Sequence, residues 1–378
     1  MVRRPNPRSS GWTHRCRFLP FYLLPSLLLV ACSDSDPFDP GSSDPLWDLA
    51  ECEFNPLYLA DGGVGLDGIP ALSEPEFLDP DPSQGELAYL NDEARVMGIV
   101  VEGQALALPL GALWHHEIAN VDWGNTKLAV THSALTGSSR VYLRSGAADA
   151  DFGVSGILYL NNTVLYDRND PPSLWLQMTG ESTCGPRSAA GLAPYPFVEA
   201  TWEAWHVLHP STLILGPSEQ ASPSWGQYPY GNYEEVPEFF FNEAMPDLDD
   251  RRPPKERVLG IPEGLAGGIA FPFGKLQGQG AVKVGQGEVD GRRLVVFWLE
   301  VAEGAAAYWA DLAGEQLTFT VQENAIVDLE TGTEWSFLGK GTGGGHDGAQ
   351  LEAVADATVA YWGAWAAFFP DTEIWVGG

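Results

Sequence analysis

The sequence predicts a β-rich α+β protein of two tandem duplicated β-dominated domains, each closed by a short C-terminal helix. Three observations predict it. "ARVMGI" at 94–99 returns as "ERVLGI" at 256–261, and "ALPLGAL" at 107–113 returns as "AFPFGKL" at 270–276. The closing stretches "WEAWHVLHPSTLIL" (202–215) and "WGAWAAFFPDTEIW" (362–375) place Trp202, Trp205, Pro210 and Thr212 at one constant offset from Trp362, Trp365, Pro370 and Thr372. Most of the intervening residues alternate in short apolar runs broken by turn residues, the signature of strands.

Taken in order, "VMGIVV" and "ALALPL" flank Glu102-Gly103-Gln104 and read as a hairpin. "KLAVTHSAL" and "SRVYLR" read as further strands. "GILYL" and "TVLYD" face each other across Asn161-Asn162, residues that tolerate the positive φ of a tight turn. "ATWEAWHVLH" carries aromatic and apolar residues at helical spacing and stops before Pro210, which predicts the closing helix. Near the end of each copy, Asp167 leads to Trp175 and Gly180 as Asp328 leads to Trp335 and Gly339. These features divide the chain into a first repeat domain with an N-terminal extension (51–215), an aromatic and Pro-rich strap (216–255) and a second repeat domain (256–378). So many aromatics in the strap predict an ordered segment packed on the domains rather than a flexible linker.

Ahead of the repeats, residues 1–31 carry five arginines and no acid, followed by "FLPFYLLPSLLLVA", which is too short to span a bilayer. This is the pattern of a secretory signal peptide. Leu29-Val30-Ala31-Cys32 resembles the lipobox of bacterial lipoproteins, which implies a lipid-anchored N-terminus at Cys32, with the outer membrane or periplasm as the address in a Gram-negative cell. Residues 32–50, rich in Asp, Ser and Pro, read as an acidic tether. The chain has 20 Lys+Arg against 51 Asp+Glu, and a net charge of −31. Loss of the leader takes five basic residues and leaves −36, which repels phosphate backbones and excludes nucleic acid as a partner. Cys52 and Cys184 remain as an even pair in an oxidising compartment, either bridged or as two buried thiols.

The two copies differ in their ionisable residues. Of six histidines after the leader, His115, His116, His132, His206 and His209 belong to the first copy, where the second has small, apolar or amide residues. His116, Glu117 and His132 are therefore the leading ligand or metal candidates. His115, Ser133, Asp167, Arg168, His206 and His209 are weaker ones. On a strand, His115 and His116 would face opposite ways. "HEIAN" lacks the second histidine of a zincin helix, Ser133 has no nucleophile elbow around it, and Asp167-Arg168 reads as a turn-locking ion pair. His206 and His209, three apart, could hold a metal from one helix face, although Phe369 at the matching position argues for packing. The plain alternative throughout is histidines bonded to backbone carbonyls at the rim of a β domain.

"RVMGIVVEGQALALPLGALWHHEIAN", "FGVSGILYLNNTVLYDRNDPPSLWLQMTGE" and "TWEAWHVLHPSTLIL" together resemble a bacterial and archaeal family, domain of unknown function 3179, and the likeness extends through "RRPPKERVLGI" to cover roughly residues 50–376. The resemblance places the family's tryptophan-histidine-glutamate stretch on His116-Glu117, with His115 where its tryptophan usually stands. It places the family's tyrosine-cysteine-proline-leucine-cysteine-glycine stretch on "HSALTG", so Ser133 and Thr136 replace two cysteines able to bind soft metals or exchange electrons. The expected function is a membrane-anchored envelope protein, leaning away from catalysis, that binds a ligand or cation, such as a divalent metal, through the first copy. A metal-dependent, redox or hydrolytic enzyme built on His116, Glu117 and His132 is the second expectation. A scaffold or adhesion protein that presents exposed aromatics is the third.

Overall fold

The computed structural model describes residues 47–80, 87, 89–216 and 223–377. The leader, Cys32 and most of the tether lie outside these residues. Trp47 and Leu49, at the tether's end, are buried beside Tyr166 and Leu174. The fold is β-rich α+β, with strands far outnumbering helices.

In the first half, Arg95–Val101 and Gln104–Pro109 form the expected hairpin, turned by Glu102 and Gly103, both at positive φ. Val198–Thr201 flanks it on one side, and Leu213–Leu215 pairs parallel to it on the other. In the second half, Arg257–Glu263 and Gly267–Pro272 repeat that hairpin, flanked by Thr358–Tyr361 and, in parallel, by Glu373–Ile374. A three-stranded meander follows each hairpin. The first is Ile118–Trp123, Thr126–Ser133 and Ser138–Leu143; the second is Val282–Val289, Arg292–Leu299 and Gly304–Trp309. The first meander shares one eight-stranded sheet with the second half's hairpin, joined where Val359 pairs Ser139. A five-stranded sheet containing Phe152–Tyr159 and Asn162–Asp167 completes the first half, with a four-stranded sheet in the corresponding place in the second.

Each hairpin leads into a short helix, α1 (Leu110–His116) or α3 (Phe273–Leu276), and each half closes with α2 (Trp202–Leu208) or α4 (Trp362–Phe368). The opening helices were not expected. Pro109 and Pro272 sit at their N-caps with φ of −60° and −66°, so the chain leaves the strand in a geometry that starts a helix. His115 and His116 therefore lie in the last turn of α1 and not on a strand. The turn after Phe152–Tyr159 is made by Leu160 and Asn161, both at positive φ, and Asn162 already belongs to the next strand.

The closing helices are held by the same contacts. Trp205 Nε1 donates to Thr212 Oγ1 and Trp365 Nε1 to Thr372 Oγ1, each at 3.0 Å. Gly98 lies under Trp205 and Gly260 under Trp365, where a Cβ would fall within 2.5 Å of the indole, so the glycine in each "GI" step makes room for a ring. Trp175 Nε1 donates to Asp167 at 2.8 Å and Trp335 Nε1 to Asp328 at 2.9 Å. Trp202, Trp205, Trp362 and Trp365 are all buried, so these four serve packing and offer no aromatic face to solvent.

The strap packs Trp225, Tyr233 and Phe239 into the core. Lys255 fastens it: its Nζ lies 3.1 Å from the centroid of the Tyr233 ring and 5.2 Å from that of Tyr361. Cys52 and Cys184 form a disulfide, with Cα atoms 4.7 Å apart.

Candidate functional site

Helix α1 ends because Glu117 takes φ of +56°, a conformation that costs a non-glycine residue energy and turns the chain into the strand Ile118–Trp123. Three ionisable side chains leave that corner in different directions. His115 Nε2 lies 3.1 Å from the Gln227 carbonyl, on the exposed side. The buried His116 is held at both nitrogens. Nδ1 lies 2.7 Å from Pro70 O, to which it must donate, and Nε2 accepts from Trp225 Nε1 at 3.2 Å. That fixes a neutral tautomer, and burial lowers the pKa of His116 further. Each residue thus has one nitrogen at a backbone carbonyl, as the plain reading expects, and His116 has the Trp225 indole at the other.

Glu117 is different. Its carboxylate accepts from Thr163 Oγ1 at 3.0 Å, and Ser133 Oγ lies 3.3 Å from the same hydroxyl. The carboxylate lines a small cavity of about 110 Å3 whose walls are Leu135, Val154 and Leu158, with Tyr230, Phe240 and Phe241 contributed by the strap. Burial pushes the carboxyl up to about 7, against the weaker downward pull of Thr163. Beside it, Thr136 Oγ1 accepts from Asn162 Nδ2 at 2.9 Å in a buried network with Ser138 and Gln177. Ser133 and Thr136 thus occupy one polar, water-excluded patch next to Glu117.

His132 points elsewhere. Its Nδ1 lies 2.9 Å from Ser139 Oγ, which donates to Glu199 Oε2 at 3.1 Å. Glu199 also pairs with Arg257 at 2.5 Å and Arg95 at 3.7 Å. Burial lowers the His132 pKa to about 4, more than the nearby Glu199 raises it. Burial would raise Glu199, but the two arginines outweigh it and hold the carboxyl below the usual range. The protons are therefore assigned: neutral His132 Nδ1–H donates to Ser139, whose hydroxyl donates to ionised Glu199.

The three leading candidates therefore have separate partners, and among the described residues no group of three His, Cys, Asp or Glu is placed to hold a metal ion. The weaker candidates fall apart likewise. Arg168 pairs with Asp67 at 2.7 Å, not with Asp167, whose carboxylate accepts from Trp175 and Asn169 and faces Arg187 at 3.7 Å. The two neighbours point apart because Asp167 still belongs to a buried strand and Arg168 lies beyond it. His206 stacks on Trp202 and His209 packs on Trp205, each on the tryptophan four residues earlier, so neither ring serves a shared ion.

The family described as Protein of unknown function (DUF3179) matches residues 66–372. The chain belongs to this family. No curated protein and no solved structure matches it. The DUF3179 match covers both halves and carries no assigned chemistry.

Sequence reasoning missed Thr163, the strap aromatics, and the Glu199–Arg95–Arg257 group. One signal was in plain view: Arg95 and Arg257 occupy the same place in "ARVMGI" and "ERVLGI", as charges at the start of otherwise apolar strands. The ladders also align the two halves better than residue matching does. Tyr142 and Tyr308 donate alike to the carbonyls of Gln177 and Phe337, which puts Lys283, not Gly280, opposite Glu117, and Trp298 opposite His132.

Glu117 and His132 should make stability depend on pH in opposite directions. Between its ordinary 4.5 and about 7, folded Glu117 keeps a proton that the unfolded chain releases, so its contribution to stability falls as pH rises through that window. Between 6.5 and about 4, the unfolded chain takes up a proton that buried His132 refuses, so that contribution falls as pH drops. Each amounts to about 3 kcal/mol, and in the wild type they oppose one another. Urea melts of Glu117→Gln should match the wild type near pH 4 and exceed it by about 3 kcal/mol near pH 8. A pH-independent difference would contradict the buried, proton-retaining carboxyl.

Proposed function

We propose that this DUF3179 protein is a lipid-anchored envelope protein, held to the membrane through Cys32, that binds a small organic cation at Glu117 in its first half. The observation that carries the reading is the Glu117 cavity itself: a lone buried carboxylate, hydrogen-bonded by Thr163, in an apolar cell walled by Tyr230, Phe240 and Phe241. An ammonium group supplies the charge that such a carboxylate lacks, and aromatic faces favour a cation with apolar substituents. A bare metal ion would find one carboxylate and hydroxyls where it needs several charged or imidazole ligands. Catalysis is less well supported than binding, because His116 has both nitrogens engaged and His132 faces another cluster, which leaves Glu117 without an acid–base partner. We take the halves as copies of one ancestral unit, the second serving as structural partner to the first.

Trimethylammonium, titrated calorimetrically at pH 8.5, is the probe, with tert-butanol as the neutral shape control. Binding should weaken at least tenfold in Glu117→Gln and likewise at pH 5, where the carboxyl is protonated. Equal affinity for the two probes, or no effect of Glu117→Gln, would remove the assignment. For the anchor, Cys32→Ser should move the protein from the membrane fraction to the soluble fraction of expressing cells; retention in the membrane would refute it.

A further inference from the structure

The halves join along two seams that ought to be equivalent. At one, Ser139 pairs Val359, and the wholly buried Arg140 fills the gap beyond it. Arg140 donates to Asp356 O at 2.7 Å and to Thr358 Oγ1, and its guanidinium pairs with the Asp356 carboxylate at 3.2 Å. At the other seam the corresponding strands are Gly304–Trp309 and Val198–Thr201. They touch at Gly304, where a Cβ would fall 2.3 Å from Glu199 O. Beyond that contact, among the described residues, no ladder joins them. The ladder registers put Ala306 where the first seam has Arg140, and the constant offset of the closing stretches puts Pro196 and Val198 where it has Asp356 and Thr358. Truncation of the filling side chain, with loss of the Asp356 carboxylate and the Thr358 hydroxyl that receive it, leaves a cavity of about 440 Å3.

That volume lies in the range of small-molecule sites. The walls are apolar: Val100, Phe197, Leu259, Leu338, Val354 and the run Ala305–Ala307. Tyr308, Ser336 and Gln350 interrupt them with uncharged polar groups, and two further residues bear on what the cavity could hold. His209 Nε2 is buried without a hydrogen-bond partner, at the position where the second half places Phe369 against its tryptophan in the same way. Lys340 is the one charged residue on the wall, exposed, with no carboxylate in ion-pair reach among the described residues. On a chain carrying 51 acids, a cavity lined by a lysine and no carboxylate is selective in sign.

We propose that this open seam binds a single-chain amphiphile with an anionic head, its alkyl chain lying along Ala305–Ala307 and its head group meeting Lys340 at the rim. The buried His209 nitrogen supplies a hydrogen-bond partner to a head-group oxygen. This site is separate from the Glu117 cavity and shares no lining residue with it.

Titration of the full chain below micelle-forming concentrations, with dodecanoate, dodecanol and dodecyltrimethylammonium, tests it. Dodecanoate should bind with one-to-one stoichiometry, dodecanol at least tenfold more weakly and the cationic amphiphile more weakly still. Ala306→Phe should abolish binding by refilling the seam. Lys340→Glu, an exposed change that leaves the core intact, should reduce dodecanoate to the level of dodecanol or below. Glu117→Gln should leave dodecanoate affinity unchanged while removing trimethylammonium binding, so the two sites succeed or fail separately. Absence of dodecanoate binding, equal binding of all three probes, or indifference to Lys340→Glu would each overturn the proposal.

Discussion

Replacing both Cys52 and Cys184 with serine is expected to cost about 5 kcal/mol of folding stability. The bridge closes a loop with a sequence separation of 132 residues, and the chain-entropy cost of closing a loop grows with the logarithm of its length. What it fastens is specific. Cys52 belongs to the N-terminal segment whose Trp47 and Leu49 pack on Tyr166 and Leu174, and Cys184 lies on the outermost strand of that five-stranded sheet. Without the bridge, the segment is held to the sheet by those side chains and by the Leu59–Asp61 strand. Urea unfolding of the double serine variant, beside the wild type with and without reductant, measures the effect. Reduced wild type should coincide with the variant; a loss below about 1 kcal/mol would mean that the segment holds itself in place.

The hairpins, meanders and closing helices were legible because alternation and helical spacing are local, and because the chain presents each twice. The opening helices were hidden: α1 carries apolar residues on every side, so its periodicity shows no polar face, and only Pro109 marks its start. Site residues divide the same way. Glu117 stood out as a lone acid in an apolar run, but its chemistry comes from Thr163, a strand away, and from strap aromatics more than a hundred residues on. His116 and His132 looked like companions because both are histidines of the first half that the second half was read to lack. The fold instead sends one to Pro70 and Trp225 and the other to Ser139 and Glu199. The open seam was written in "GAAAYW" set against "SSRVYL", yet it becomes readable only once strand pairing fixes which alanine replaces Arg140.

Glu199→Ala should destabilise the protein by about 3–5 kcal/mol, because it strands the buried cation of Arg257. Arg257 donates to Glu199 at 2.5 Å, and Arg95 lies within ion-pair reach at 3.7 Å, both arginines coming from corresponding positions of the two halves. Arg95 keeps a second carboxylate, Glu234, at 2.7 Å, and that carboxylate also accepts from Tyr361 at 2.9 Å. Among the described residues Arg257 has no second ion pair and keeps its stacking over Phe273, with 4.6 Å to the ring centroid, so the unpaired charge falls mainly there. The corresponding strand position in the second half is Val359, which shows that an apolar side chain suits this geometry once no arginine needs an anion. It follows that Glu199→Val combined with Arg257→Met should recover most of the loss, since an ion pair replaced by well-packed apolar groups is often neutral or better. Guanidinium melts of Glu199→Ala, Arg257→Met and the combined variant form the test. If the combined variant is as unstable as Glu199→Ala, the cost lies in lost hydrogen bonds to Ser139 and not in the stranded charge of Arg257.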